Sequence, residues 1–527
     1  MNNSGGRLKS GKGIAALQNS AILRAHPIIS RPGRIAWPTF IAGKSACATL
    51  TRPSTWGRQS CLPGTCRNAV KVFRVAALLL AGCVAFLGPG PAAAADGTAA
   101  VEAWLDDAGA LWSLTPETFL NQERAPLFNW LAKDRPAEAR YPGYRNSPKL
   151  AFLNQPVVEG YARFANGTLA SLYLSLYNRG DSGGTSEPEF ARQVANLDQA
   201  ITQWSGDTRS EARAKKLAGT TSTRKSWVKG PHAVTLTWSS SGKGKRDFRA
   251  EYIQVDLTRF DPKADARKTT GAPAAAKASD TTAAELAGHV KRQDDGAVAI
   301  DGLPMVDQGQ KGYCAAATAE RILRYYGVNV TQHVIAQLTG TDAGQGTNPE
   351  QMLKMLRRAG TKFGIKVREL YAGIETVADL QNMVNRYNKF AKKAKARKIV
   401  LPTAGVIDLS DIFSGLEPDA YHAYRCEGEK TDYRRFLADV KSHIDRGIPL
   451  VWSVYLGLVK EENLAQLSGG HMRIILGYNS TTHEILYTDS WGAGHESKKM
   501  SDGDAWTITL GLYSLDPRRA TSPGAGR

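Results

Sequence analysis

The sequence predicts an α+β protein of two parts: a C-terminal domain with helices packed on an antiparallel sheet, preceded by a smaller α+β module. Three observations predict this. "CAAATAERILRYYG" (314–327) places Ala315, Ala319, Ile322 and Tyr326 on one stripe of a helix. "GGHMRIILGYN" followed by "EILYTDSWG" reads as two strands joined by a short turn. "VVEGYARFANGTLASLYLSLYN" alternates on both sides of Asn166-Gly167, a strong hairpin signal.

At 527 residues, with 42% hydrophobic and 22% charged residues, the chain has room for two or three globular domains. Its net charge of +19 is concentrated at the start. Residues 1–95 hold twelve of the 68 Lys and Arg and no acid, so the remainder has 56 basic against 49 acidic residues, a surplus of 7. A nucleic-acid-binding body is not indicated.

Residues 70–95 read as a signal peptide. Lys71 and Arg74 precede an apolar run from Val75 to Leu87, and Ala93-Ala94-Ala95 supplies small residues for cleavage. The run is shorter than the roughly 20 residues that span a bilayer, so no membrane-spanning segment is expected in the mature chain. Residues 1–69 are expected to be over-called translation or a targeting segment. Export to the periplasm or medium follows; "LAGC", ending at Cys83, also fits a lipoprotein anchor. After cleavage only Cys314 and Cys426 remain of six cysteines, which excludes a disulfide scaffold. The two could still form one bridge.

Residues 96–262 form the first module. "AAVEAWLDDAGALWSL" has helical spacing, as does "EPEFARQVANLDQAITQW", and "HAVTLTWSSSGKGKRDFRAEYIQVDL" alternates around a Gly/Ser/Lys turn. It shows no catalytic constellation; a pro-segment, a binding module and a scaffold all remain open. Residues 263–296 have linker composition. Residues 297–520 carry the chemistry.

In "DQGQKGYC", Gly309 and Gly312 permit a tight loop ahead of the helix. Cys314 then stands at a helix N-terminus, where free N–H groups and the positive dipole end favour a thiolate. Gln308, six residues earlier, can join the Cys314 N–H as a second oxyanion donor; Gln310 is its rival. His471 opens an apolar strand after Gly469-Gly470, and a returning strand ends in Asp489. That hairpin brings Asp489 beside His471, where a carboxylate orients an imidazole.

The segments "QGQKGYC", "RYYG", "GTNPEQMLKMLRRAG", "FLADVKSHIDRGIPLVWSV", "GGHMRIILGYN" and "YTDSWG" resemble the papain-like cysteine peptidase superfamily, closest to the bacteriocin-leader-processing, double-glycine peptidase (C39-like) family. The resemblance covers about residues 300–515. It implies a papain-like peptidase domain in which Cys314 is the nucleophile, His471 the base and later the acid, Asp489 its orienting group and Gln308 an oxyanion donor. It also implies that Trp491 shields the His–Asp pair. The substrate would be a peptide or protein, and no cofactor or metal is needed. His471 follows Cys314 by 157 residues, slightly beyond the roughly 130–150 of papain-type enzymes; a basic insertion around 372–430 accounts for the excess. Two departures are Asp489 where papain has Asn, and Ala315 after the nucleophile. Cell-wall peptide amidase or transpeptidase chemistry, or a non-catalytic binding protein with this fold, are the alternatives. "HAYRC", with His422 and Cys426, lacks the second ligand pair of a metal site. "NRYNKFAKKAKARK" is expected to be a solvated helix face.

Overall fold

A computed structural model describes residues 34–36 and 97–521, apart from 107, 122, 134–135, 209, 218–219, 243–246, 264–277, 342–348 and 404–405. The stretch read as a signal peptide, 70–95, and residues 1–69 but for 34–36 lie outside the described residues. Among the described residues no helix is long and apolar enough to cross a membrane.

The first module is built on an eight-stranded antiparallel sheet. Its strands are β1 (Asn129–Trp130), β2 (Glu138–Tyr141), β3 (Glu159–Ala165), β4 (Thr168–Asn178), β5 (Arg213–Leu217), β6 (Thr220–Lys229), β7 (His232–Ser241) and β8 (Arg249–Arg259). They run in the order β1-β2-β3-β4-β8-β7-β6-β5. Ala165 pairs with Thr168 across Asn166 and Gly167, whose φ of 53° and 80° give the two left-handed residues of a type I′ turn. Alternation sends Leu172, Leu174, Val255 and Leu257 into one apolar face. Helix α1 (Glu187–Ser205), capped by Ser186, covers that face through Phe190, Leu197 and Ile201.

One helix expected from the sequence is not formed. "VEAWLDDAGALWS" makes two 3₁₀ turns, Val101–Trp104 and Ala110–Ser113. Asp106 accepts from the backbone N–H groups of Gly109 and Ala110, and Gly109 adopts φ 72°. The Asp side chain thus replaces the helical bonding pattern with a local turn, while Val101, Trp104, Leu105 and Trp112 still reach the core.

Within the stretch read as linker, Thr282 caps a helix at Ala283–Gly288 and β9 (Val290–Arg292) follows. Leu286 is buried there. The C-terminal domain continues through β10 (Ala297–Ile300), α2 (Cys314–Tyr325), α3 (Gln332–Thr339), α4 (Pro349–Phe363), β11 (Ile365–Ala372), α5 (Val377–Lys393), α6 (Pro418–Ala423) and α7 (Lys430–Ile444). It ends with β12 (Leu450–Leu456), β13 (Gly469–Asn479), β14 (Glu484–Thr488), β15 (Lys498–Ser501), α8 (Asp502–Ile508) and β16 (Thr509–Pro517). The main sheet runs β9-β10-β13-β12-β16-β11, with β14 and β15 added beside β13. Buried β12 and β13 lie at its centre. Helix α5 buries Leu380, Met383, Val384 and Tyr387 and leaves Lys389, Lys392 and Lys393 in solvent. The whole is α+β with large antiparallel sheets, as expected at that level.

Candidate active site

Cys314 is the first residue of α2, directly after Tyr313 at the N-cap position, which offers no side-chain cap. The first-turn N–H groups are therefore not consumed by a capping oxygen. Small Ala315, Ala316 and Ala319 let α2 lie close against the sheet, and the Thr318 hydroxyl donates to the Met472 carbonyl on β13 at 3.2 Å. The backbone N–H of Met472 reaches the Cys314 sulfur from the neighbouring strand. His471, one residue earlier on β13, is fully buried.

The hairpin β13–β14 pairs Ile474 with Thr488, which carries the residue after β14, Asp489, back toward His471. The two meet: His471 Nε2 lies 3.1 Å from Asp489 Oδ1. Trp491 stacks on the imidazole at 4.3 Å between ring centroids and 17° between planes. A carboxylate can only accept, so Nε2 carries the proton and Nδ1 keeps its lone pair. Nδ1 is buried and has no partner among the described residues.

The loop before Cys314 is fastened to this hairpin. The Gln308 N–H donates to the Ser490 carbonyl at 2.8 Å, and the Ser490 hydroxyl donates to Gln308 Oε1 at 2.8 Å. Asp307 and Trp491 form a β-bridge. Gln308 Nε2 makes a long bond of 3.5 Å to the Lys311 carbonyl. Gln308 is buried and Gln310 exposed.

Several residues here were not singled out in the sequence. Arg473 stands two positions after His471 and, by strand alternation, on the same face. Its Nε donates to Asp489 Oδ1 at 2.8 Å, and its Nη2 pairs with Glu461 at 2.8 Å. Lys498 on β15 approaches Asp489 Oδ2 at 3.2 Å. Arg321 on α2 donates to the Asp489 carbonyl at 2.8 Å and to the Thr488 hydroxyl at 2.9 Å. The period of two in "HMR" was the one available signal.

These contacts set the charges. Burial opposes ionisation of Asp489, but Arg473, the His471 hydrogen bond and Lys498 outweigh it and hold the carboxyl well below its usual range. Burial pushes the His471 imidazole down, against the pull of Asp489. The expected low pKa at Cys314 is not found: burial pushes its thiol up to about 12, against backbone N–H groups of Met472, Ala315 and Cys314. Cys314 is only 2% exposed, and desolvating a thiolate outweighs the partial charge of a helix end. Among the described residues no hydrogen bond joins Cys314 to His471. Both Cys314 and Cys426 are free thiols.

The other side of the loop before Cys314 is held by the first module. Lys311, with a side chain 1% exposed, lies 2.7 Å from Asp181 and 3.3 Å from Glu159. Arg140 pairs with Glu159 at 2.7 Å and Asp307 at 2.9 Å. His333 Nε2 adds a contact to Glu159 at 2.9 Å. Gly180 lets β4's end approach Tyr313: a Cβ there would come within 2.7 Å of its ring.

Residues 407–510 match the Peptidase_C39 like family. The match bears out the resemblance read from the motifs. It includes His471 and Asp489; Cys314 and Gln308 precede it. No curated protein matches the chain.

Proposed function

We propose that the chain, with its C39-like segment, is an exported cysteine peptidase that hydrolyses peptide bonds through a papain-like arrangement. The observation that carries this reading is the setting of His471. Its Nε2 is held by ionised Asp489, its face lies under Trp491, and its Nδ1 lone pair is free beside the strand residue whose N–H meets the Cys314 sulfur.

Cys314 attacks the scissile carbonyl carbon as its proton passes to His471 Nδ1. The Cys314 N–H and the remaining amide hydrogen of Gln308 receive the oxyanion. Collapse to a thioester expels the amine, which takes the proton from His471. Water, deprotonated by the same nitrogen, then cleaves the thioester and restores the thiol. Asp489 stabilises the imidazolium in both steps. With Cys314 and His471 both neutral at rest, proton transfer accompanies attack rather than preceding it. Export rests on the signal-like residues 70–95.

The test is peptide-library cleavage by the purified chain beside Cys314→Ala. Cleavage by the first and none by the second is expected; cleavage that survives the substitution removes Cys314 from the mechanism. A non-catalytic binding role is favoured by one observation, the closed site with its buried, protonated thiol. Peptides bound but never cut would support it.

A further inference from the structure

The second thiol has a base of its own. Cys426 lies in a π-helical turn (Tyr424–Gly428) directly after α6, four residues beyond His422. π-Bulges are frequent at functional sites because they re-aim side chains. His422 Nε2 is 3.7 Å from Cys426 Sγ, within the reach of a sulfur hydrogen bond. Gly503 at the start of α8 permits the approach: a Cβ there would stand 3.2 Å from His422 Cε1 and 3.5 Å from Sγ.

The tautomer of His422 follows from proton counting. Thr507 Oγ1 lies 2.7 Å from the Gly503 carbonyl oxygen. Two oxygens at that distance need a proton between them, and only the hydroxyl has one. Thr507 therefore receives from its other neighbour, His422 Nδ1, at 2.9 Å. Nδ1 carries the hydrogen, and Nε2 aims a lone pair at the sulfur, whose S–H has the Gly503 carbonyl as a second acceptor, also at 3.7 Å. Asp504 Oδ1, 3.6 Å from Nδ1, supports the imidazolium that forms when Nε2 takes a proton. His422 and Asp504 are each about two-fifths exposed, at 43% and 41%.

We propose that Cys426, with His422 as base positioned by Thr507 and Asp504, is a thiol-modification site for small disulfides that carry a positive charge. Arg425, the one cation acting on the sulfur among the described residues, is buried and paired with Glu429, while Asp502 and Asp504 on α8 give the site an acidic rim, which favours a cationic reagent over an anionic one. In the exchange, the Cys426 proton passes to His422 Nε2 and the sulfur attacks one sulfur of the disulfide. The new S–S bond joins Cys426 to half of the reagent as the old S–S bond breaks. The departing thiolate takes the proton from His422. The disulfide is the only oxidant. Burial raises the resting thiol's pKa, so the step depends on the adjacent base. The assignment is independent of whether Cys314 hydrolyses peptides.

The experiment exposes the full chain to millimolar cystamine at neutral pH and follows each cysteine by peptide mass spectrometry. Cys426 should be modified before Cys314, and more slowly with the anionic 3,3′-dithiodipropionate. His422→Gln should slow Cys426 about tenfold or more. Thr507→Val, which keeps the packed volume, should slow it by a smaller factor, with circular dichroism reporting that the fold is intact. An unmodified Cys426, a His422→Gln rate equal to wild type, or faster reaction with the anion overturns the proposal.

Discussion

Lys311, in the loop before Cys314, reaches across the seam between the two modules to Glu159, 3.3 Å away, with neither side chain appreciably exposed. Cys314 follows Lys311 by three positions in the sequence. The position of the loop therefore depends on a charge supplied by the first module, on Arg140 and His333, which also pair with Glu159, and on Asp181, the second carboxylate that Lys311 meets. Removing one member of such a buried set leaves the others uncompensated.

Glu159→Gln should cost about 3–5 kcal/mol of stability. It should also increase hydrogen exchange in residues 307–313 more than in β13. The acid behaviour has a definite sign. Glu159 is buried, yet Lys311 and Arg140 hold its carboxyl well below the usual range. Its contribution is complete above the ordinary glutamate value and is lost only as pH falls well below it. Exchange in 307–313 that is unchanged by the substitution would show that the seam does not hold the loop.

Cys314 should alkylate slowly in the intact protein. With its thiol pushed up to about 12, the thiolate fraction at pH 8 is on the order of 1 in 10⁴. Iodoacetamide labelling from pH 5 to 8 should be slower than for a free peptide thiol, with roughly ordinary pKa near 8.5, and Glu159→Gln should speed it. A rate that inflects near neutral pH in the unaltered protein would mean that the closed site is not the resting state.

Arg473→Gln should raise the pKa of His471, since Arg473 lowers it and Asp489 raises it. The imidazole resonances followed by NMR across pH, and the acid limb of the peptidase pH profile, should both move upward. Arg473→Lys should restore part of the shift. Stability should fall by about 3–5 kcal/mol, because Glu461 and Asp489 lose a shared buried cation. An unmoved His471 titration would rule out electrostatic control by Arg473.

Asp489→Asn should flatten the acid limb of the melting curve. The folded carboxyl is held well below its ordinary value, so Asp489 stabilises the protein fully above the unfolded value of about 4. That stabilisation drains away as pH falls below it. The variant lacks this dependence. Melting temperatures measured from pH 2 to 7 check it; parallel curves for both proteins would contradict it.

Gln308→Ala should lower kcat by about 10²–10³ with little change in KM, as expected for a donor that serves mainly the transition state. Ser490→Ala removes the hydroxyl that holds Gln308 Oε1 and should lower kcat by a smaller factor. Equal losses in kcat and 1/KM would point to substrate positioning instead.

The parts of the molecule legible beforehand were those governed by short-range pattern. The Asn166-Gly167 turn needs two positive φ values that few residue pairs accept. The stripe through Ala315, Ala319 and Ile322 gives α2, and β13–turn–β14 is a near-neighbour hairpin, so His471 and Asp489 were bound to meet if both strands formed. The helix read over "VEAWLDDAGALWS" failed because periodicity carries no information about Asp106 bonding its own backbone. Arg473 was partly legible from its spacing to His471, but nothing local marked Lys498 or Glu461 as its companions.

What the sequence by itself determined, then, is which residues sit at a helix start, at a strand start and at the end of a returning strand. Those are consequences of backbone geometry over tens of residues. Only the tertiary structure decided how these groups are charged. Cys314 is a protonated thiol because α2 is buried on all sides, and Asp489 is ionised because Arg473 and Lys498 converge on it. The loop between Gln308 and Cys314 is pinned because Glu159, 152 residues from Lys311, was brought there by docking of two sheets. Solvation and long-range charge are set by what surrounds a residue in space, and no periodicity along the chain encodes that.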